Sequence, residues 1–159
     1  GEAPGESENS LGKPFTGPAG HLLDTIIEMA LPGHVEIGED GNTEHWITEI
    51  RYAMTNLVCC FPAEAKAIGL NEPESEEIEA CKDRLIEFVG ICNPKIVVCV
   101  GKLASKWIRI FIEELPNPDV KIIDIVHPAA ILRMPMAQQG FAVQKATVTI
   151  SNAVDEVLK

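Results

Sequence analysis

The sequence predicts an α/β protein in which helices cover both faces of a parallel sheet. Two continuous apolar runs, "KIVVCVG" (95–101) and "VKIIDIVHP" (120–128), have the composition of strands buried on both faces. A helical pattern separates the two runs, and strands that alternate with helices form parallel sheets. Because such sheets bind ligands at the carboxyl ends of their strands, the loops that follow these runs are the first places to look for a site.

The first third of the chain is predicted to hold one helix and one strand. Apolar residues recur at helical spacing from Leu22 to Ala30, and Pro32-Gly33 ends that pattern. The Gly/Pro-rich segment 1–19 before it, and the acidic segment 34–45 after it, are predicted loops. A short helix over Trp46–Ile50 is expected to lead into a strand over 51–60.

The remaining elements follow the same periodicities. We predict a loop over 61–75, a long helix from Glu74 to Cys92, the strand 95–101, a helix over 102–115, the strand 120–128 and a last helix within Gln138–Leu158.

Composition limits the classes of protein that fit. The 159 residues suit a single domain spanning 1–159, and 46% hydrophobic residues are too many for a disordered chain. A net charge of −11 argues against nonspecific nucleic-acid binding, although it does not forbid a local basic groove. No apolar run approaches the roughly 18 residues that span a bilayer, and no secretion signal is visible. We therefore expect a cytoplasmic protein.

The opening segment contains two short motifs that fit a ligand-binding loop. In "GEAPG" (1–5), the glycines on either side of Pro4 fix a turn and allow the backbone to approach a ligand closely, and Glu2 is a carboxylate at the mouth of this loop. In "KPFTGPAG" (13–20), Phe15 lies between turn residues, where its ring can stack on a planar base. The alternatives are a tight loop with solvated acids and a phenylalanine that anchors the loop to the core.

Polar residues at predicted strand ends are the next candidates. Asn56 lies in a predicted strand, where Asn is uncommon, and its amide can read the edge of a pyrimidine. His127 ends the strand 120–128 and can act as an acid, a base or an electrostatic stabiliser. Leu132 and Arg133 follow, and they could supply an apolar wedge and a phosphate contact. A buried Asn satisfied by backbone and a structural His remain the alternatives.

Five cysteines, an odd number, favour free thiols or metal ligands over a disulfide scaffold. Cys60 and Cys81 are the two that we pair functionally. Two thiolates do not complete a tetrahedral metal site, so two further ligands would be needed.

Taken in order, the motifs resemble those of the uracil-DNA glycosylase superfamily. They are "GEAPG", "PFTGPAGHLLD", "TNLVCCFP", "CKDRL", "NPKIVVCVG" and "HPAAILR". The resemblance covers nearly the whole chain. It is closest to the family 4 iron–sulfur enzymes, including phage DNA-polymerase-related members.

The resemblance implies a fold, a reaction and a partner. The fold is a three-layer α/β/α sandwich with a four-stranded parallel sheet, whose first strand we expect before Gly1 in an N-terminally truncated domain. The reaction is hydrolysis of the N-glycosidic bond of deoxyuridine. The partner is uracil-containing DNA, single- or double-stranded, and the enzyme is expected to act as a monomer away from membranes.

The resemblance also assigns roles to individual residues. Glu2 matches an acidic residue that handles the attacking water, and His127 matches the histidine that stabilises the departing base. Phe15 matches the aromatic residue that stacks on uracil, and Asn56 the amide that reads its edge. The backbone of Ala3, Pro4 and Gly5 lines the pocket, and Leu132 and Arg133 lie in the DNA-intercalating segment.

The resemblance further implies a 4Fe–4S cluster with four cysteine ligands. Cys60 and Cys81 match the last two, and the first pair has no counterpart in this chain. Cys59-Cys60-Phe61 also stands where relatives commonly carry Lys-Cys-Arg.

Two other functions stay open at this point. A glycosylase-like module that binds without cleaving fits the acidic balance and the lost basic residues. An active enzyme should instead keep a basic strip around Lys13, Lys102, Lys106 and Arg133. A plain nucleotide-binding α/β domain would be favoured if Phe15, Asn56 and His127 did not share one pocket.

Overall fold

Two parallel strands form the centre of the molecule. The computed structural model describes residues 1–37, 44–61 and 72–158. Strand β3 (Ile96–Val100) pairs with β4 (Lys121–Ile125), and the register runs from Ile96 opposite Lys121 to Val100 opposite Ile125. Helix α5 (Lys102–Ile110) and a 3-10 turn (Ile112–Glu114) connect them. This strand–helix–strand unit confirms the α/β prediction.

Side chains of the two strands alternate between two apolar cores, as the pleat of a strand requires. Val97, Cys99 and Ile122 pack in a first core with α5 and α4 (Lys82–Cys92). The neighbouring strand residues pack in a second core with α2 (Pro18–Ala30), α6 (Pro128–Leu132) and α7 (Met136–Leu158). Helices therefore cover both faces of the sheet in three layers.

The segment 51–60 differs from its prediction. It carries no regular strand, so that prediction is wrong. Its backbone instead pairs with the first two residues: Gly1 N donates to Thr55 O at 2.8 Å, and Leu57 N donates to Gly1 O at 3.0 Å. Val58 N donates to Glu2 O at 3.1 Å. The described residues contain one parallel pair of strands, so the four-stranded sheet and its strand before Gly1 stay predictions.

An antiparallel hairpin occupies the segment predicted as an acidic loop and a short helix. Strand β1 (His34–Ile37) pairs with β2 (Glu44–Ile47), and His34 lies opposite Ile47. Both predictions are wrong, because backbone pairing builds this hairpin in a sequence without an apolar run. Residues 38–43, and 62–71 of the predicted loop 61–75, lie outside the described residues.

Predictions for three helical regions were also wrong. The predicted helix Glu74–Cys92 is two helices, α3 (Ser75–Ala80) and α4, which meet at Cys81. Glu74 and Glu77 form a reciprocal capping box, so α3 begins where the predicted helix begins. Helix α1 (Glu6–Leu11) forms inside the Gly/Pro-rich segment and ends at Gly12, whose φ of 66° is left-handed. Residues after His127 form α6, which was predicted as a loop.

No helix among the described residues is apolar over enough residues to cross a bilayer.

Candidate active site

A cleft of about 1400 Å³ opens at the carboxyl ends of β3 and β4. Its lining brings together the residues that the sequence marked for catalysis and base recognition: Glu2, Ala3, Pro4, Gly5, Phe15, Asn56 and His127. They come from four separate stretches of the chain. A plain nucleotide-binding domain would have been favoured if Phe15, Asn56 and His127 lay in different pockets, and they line the same cleft.

Hydrogen bonds from the backbone fix the opening segment that forms one wall of this cleft. The carboxylate of Glu8 accepts a hydrogen bond from Gly17 N at 2.8 Å, at the start of α2. Burial alone would raise the pKa of Glu8, but hydrogen bonds led by that from Gly17 outweigh it and lower the pKa. Glu8 thereby ties α1 to α2.

Phe15 lies on a strained turn. Its φ is 56°, in the left-handed region that a bulky residue rarely adopts. A Cβ atom on Gly20 would lie 1.8 Å from the carbonyl oxygen of Phe15, so only glycine fits at position 20. The ring packs against the second core and also lines the cleft. Phe15 therefore both anchors the loop and offers a ring to a ligand.

Phe15 and Asn56 meet above the α-carbon of Gly1. A Cβ atom built there would lie 2.3 Å from Asn56 Oδ1 and 2.8 Å from Phe15 Cζ. Asn56 is 7% exposed, and it is the one buried polar residue among the described residues. An aromatic ring and a side-chain amide thus lie side by side, which is the arrangement needed to stack a base and read its edge.

Arg84 is a functional candidate that the sequence analysis missed. Its guanidinium donates to Thr55 Oγ1 at 2.8 Å, to Asn56 O at 2.6 Å and to Leu57 O at 3.1 Å. Arg84 lies three residues after Cys81 and one before the buried Leu85. The sequence feature that could have identified Arg84 is a charged residue next to the apolar face of a helix. A guanidinium that is half-buried there requires hydrogen-bond acceptors.

His127 is held in one orientation by the helix that it begins. Its Nδ1 accepts a hydrogen bond from Ala129 N at 3.1 Å. Burial lowers the pKa of His127 from its ordinary 6.5, and the positive charges of the N-terminal amine and Arg133 lower it further. A neutral imidazole whose Nδ1 is an acceptor carries its proton on Nε2. His127 can therefore donate from Nε2 without a formal charge.

Gly101 separates Glu2 from His127. A Cβ atom on Gly101 would lie 2.9 Å from Glu2 Oε1 and 3.2 Å from His127 Cβ. Its φ of 101° and ψ of 164° are open essentially to glycine alone. The sequence analysis did not select Gly101, although it is the last residue of the predicted strand 95–101. The two candidate catalytic groups thus flank one backbone position at the end of β3.

Burial raises the pKa of Glu2 from its ordinary 4.5, and the nearby carboxylate of Glu72 raises it further. The N-terminal amine and Arg133 act in the opposite direction. A carboxyl with a raised pKa is better suited to accept a proton from water than a fully solvated one.

Positive charge around the cleft is only partly where it was expected. Lys102 and Arg133 line the cleft, together with Lys145, which was not selected; Lys13 and Lys106 do not line it. Leu132 is 42% exposed beside Arg133 and lies outside the lining. Acidic residues share the cleft: Glu2, Glu6, Glu8, Glu72 and Asp124.

The two candidate cluster ligands do not form a metal centre by themselves. Cys60 is exposed, whereas Cys81 is half-buried against the first core. Within residues 1–37, 44–61 and 72–158, no three metal-ligating side chains come together.

Comparisons with known proteins agree with this geometry. The family model of the uracil DNA glycosylase superfamily matches residues 1–149. The chain is 28% identical to the type-4 uracil-DNA glycosylase of Archaeoglobus fulgidus, over 89% of this chain and 69% of that protein. It is 32% identical to the Saccharolobus solfataricus type-4 enzyme over 68% of this chain and 41% of the relative. For the Thermotoga maritima type-4 enzyme the identity is 27%, over 84% and 64% respectively.

Proposed function

The chain belongs to the uracil DNA glycosylase superfamily, and from this membership and the geometry of the cleft we propose that it hydrolyses the N-glycosidic bond of deoxyuridine in DNA. The reaction releases uracil, leaves an abasic site and begins base-excision repair. The observation that carries the proposal is the convergence of Glu2, Phe15, Asn56 and His127 on one cleft.

Recognition of the base begins with its removal from the stack. A base can be cut only when it is unstacked and seated in a fitted pocket. Phe15 offers a stacking face, and the adjacent amide of Asn56 offers one donor and one acceptor. Uracil presents the complementary pair, the carbonyl oxygen O4 and the N3–H group. We propose that Asn56 pairs with this edge.

Cleavage moves the bonding electrons of the C1′–N1 bond onto uracil. Negative charge then develops on the uracil oxygen O2, and we assign to the Nε2–H group of His127 the hydrogen bond that stabilises it; the bond from Ala129 N to Nδ1, which leaves the proton on Nε2, supports this role. A water molecule attacks C1′ from the opposite side, and the carboxylate of Glu2 takes its proton. The hydroxyl stays on the sugar, and the uracil anion is later protonated by solvent.

The proposed reaction does not require an iron–sulfur cluster. A 4Fe–4S cluster takes four cysteine ligands, and Cys60 with Cys81 supply at most two. The described residues do not fit a complete cluster site, so no step above uses one. Iron and sulfide analysis of anaerobically purified protein, beside a Cys60→Ser, Cys81→Ser double variant, tests whether these two thiols bind iron. Cys92→Ser, which removes another exposed thiol, is the control.

Uracil release from a single-stranded oligonucleotide tests the proposal. His127→Ala and Asn56→Ala should each lower kcat/KM at least a hundredfold, because each removes a contact that acts on the departing base. His21→Ala and Asn152→Ala remove exposed residues of the same types and should act as the unchanged protein does. Equal rates for the active-site and control variants would overturn the assignment of the pocket. Action on both single- and double-stranded DNA, and the monomeric state, stay predictions.

A module that binds without cleaving is the second candidate, and the acidic residues that share the cleft favour it. It predicts binding of uracil-containing oligonucleotides by folded protein with no release of base. Cleavage that His127→Ala abolishes excludes it.

A further inference from the structure

Acidic residues are distributed very unevenly along this chain. Of its 24 Asp and Glu residues, none falls between Ile125 and Val154, a stretch that contains Arg133 and Lys145. In the fold this stretch is the end of β4, α6 and most of α7. The part of the cleft lining that this stretch supplies, called here the acid-free wall, therefore carries no negative side chain, and Asp124 lines the cleft just before it.

The acid-free wall presents an aromatic ring beside a cation. Gln138, Phe141, Ala142 and Lys145 line the cleft at helical spacing, so they share one face of α7. Phe141 is 73% exposed although it is a large apolar residue. Phe141 and Lys145 are four residues apart, about 6 Å along the helix axis, and so are neighbours on that face.

The charges of the cleft indicate which wall a polyanion would follow. Glu2 and Glu8 of the opening segment line the cleft, the charge of Glu72 acts on Glu2, and phosphates would be repelled there. Arg133 lines the cleft six residues after His127, and α7 continues the acid-free wall from there. A positive groove with an exposed ring is the usual arrangement for binding single-stranded nucleic acid.

We infer that Phe141, Lys145 and Arg133 form a subsite for the nucleotides on one side of the target in a DNA strand. Phe141 stacks on one flanking base, and Lys145 contacts its phosphate. The inference rests on the proposed function for the position of the target base. It assigns to α7 a role in strand binding that is separate from bond cleavage.

Binding of an 11-nucleotide single strand, followed by fluorescence anisotropy, tests this subsite. Its central residue is 2′-fluoro-deoxyuridine, because the electronegative fluorine suppresses cleavage. A series replaces one flanking base at a time with an abasic spacer. For the unchanged protein, one spacer position should weaken binding about tenfold, the loss of a single base–aromatic stack.

Phe141→Ala should bind the intact strand about tenfold more weakly and lose its sensitivity to that spacer. Phe141→Tyr should keep both. Ile91→Ala is the matched control, because Ile91 is 78% exposed and does not line the cleft. Lys145→Gln should reduce the slope of log affinity against log salt by about 0.7, whereas Lys95→Gln, outside the cleft lining, should not.

The outcomes separate this inference from the proposed function. Spacer sensitivity that Phe141→Ala removes supports the subsite even when no uracil is released from ordinary deoxyuridine. Normal uracil release with identical spacer profiles for Phe141→Ala and Ile91→Ala overturns the subsite and leaves the glycosylase proposal standing.

Discussion

The Nη2 atom of Arg84 donates a hydrogen bond to the backbone carbonyl oxygen of Asn56 at 2.6 Å. The same guanidinium binds Thr55 Oγ1 and Leu57 O, so it holds three consecutive residues. The main chain that carries the side-chain amide of Asn56 is thereby held in place. If Asn56 reads the base as proposed, Arg84 is expected to act as its positioning residue.

Arg84→Lys should keep the charge and lose the forked geometry that contacts several acceptors at once. We expect kcat/KM for uracil release to fall about tenfold, which corresponds to about 1.4 kcal/mol. The loss should appear mainly in KM, since Asn56 would bind the base less well. Steady-state kinetics measure it, with the exposed Arg51→Lys as control. Unchanged KM for Arg84→Lys would contradict the positioning role.

Gly101→Ala should damage both stability and activity. The alanine would occupy a φ of 101°, at a cost on the order of 1–3 kcal/mol, and its Cβ would press on the carboxylate of Glu2. Urea unfolding and uracil release measure the two effects. Gly140→Ala is the control. A Cβ atom at position 140 would meet no atom within 4 Å, and the residue lies in a helix, where alanine is favoured over glycine. A Gly101→Ala protein as stable and active as the unchanged chain would refute the close packing.

Glu2→Gln should change how stability depends on pH. The pKa of Glu2 is raised on folding, so its protonated form is favoured in the native state. The resulting stability is fully present below about pH 4.3, the unfolded pKa of a glutamate, and is lost as pH rises through the native pKa. The glutamine variant carries no such loss and should gain relative stability across that window. Urea unfolding at several pH values measures it, with the exposed Glu113→Gln as reference. A stability difference between Glu2→Gln and the unchanged protein that does not vary with pH would count against a half-buried Glu2 that ionises in this range.

The His127 imidazole should titrate below its ordinary pKa of 6.5 and carry its proton on Nε2. Because this pKa is lowered on folding, its contribution to stability is present above pH 6.5 and is lost as pH falls through the native pKa. Nitrogen-15 NMR of the histidine rings measures both the pKa and the tautomer, and the exposed His21 provides a reference signal in the same spectrum. A protonated Nδ1 at neutral pH would contradict the donor role of Nε2.

Regular elements were predictable where a face of the element is buried. Helix α2 and strands β3 and β4 carry the apolar periodicity that burial imposes, so their positions follow from local sequence. The hairpin β1–β2 was missed because it is built by backbone pairing in a polar segment. The pairing of residues 1 and 2 with 55–58 joins distant parts of the chain, which no local pattern reveals.

Some residues of the candidate site could likewise be predicted from local sequence, and others could not. Phe15, Asn56 and His127 stood out because each residue type is unusual at its place along the chain. Arg84 and Gly101 did not, since their roles exist only in contacts with Asn56, Glu2 and His127 that the folded chain creates. The exposed Phe141 escaped notice because a single apolar residue on a long helix matches an ordinary core position.

Because acidic residues are unevenly distributed, this protein should repel a DNA strand before contact and attract it at contact. Before contact, at separations within about a Debye length, a DNA strand meets the field of the net charge of −11 and is repelled. At contact it meets the acid-free wall of Arg133 and Lys145. Moderate salt should therefore speed association while it also speeds release. Such kinetics favour short-lived binding to many strands in turn over long residence on any one strand.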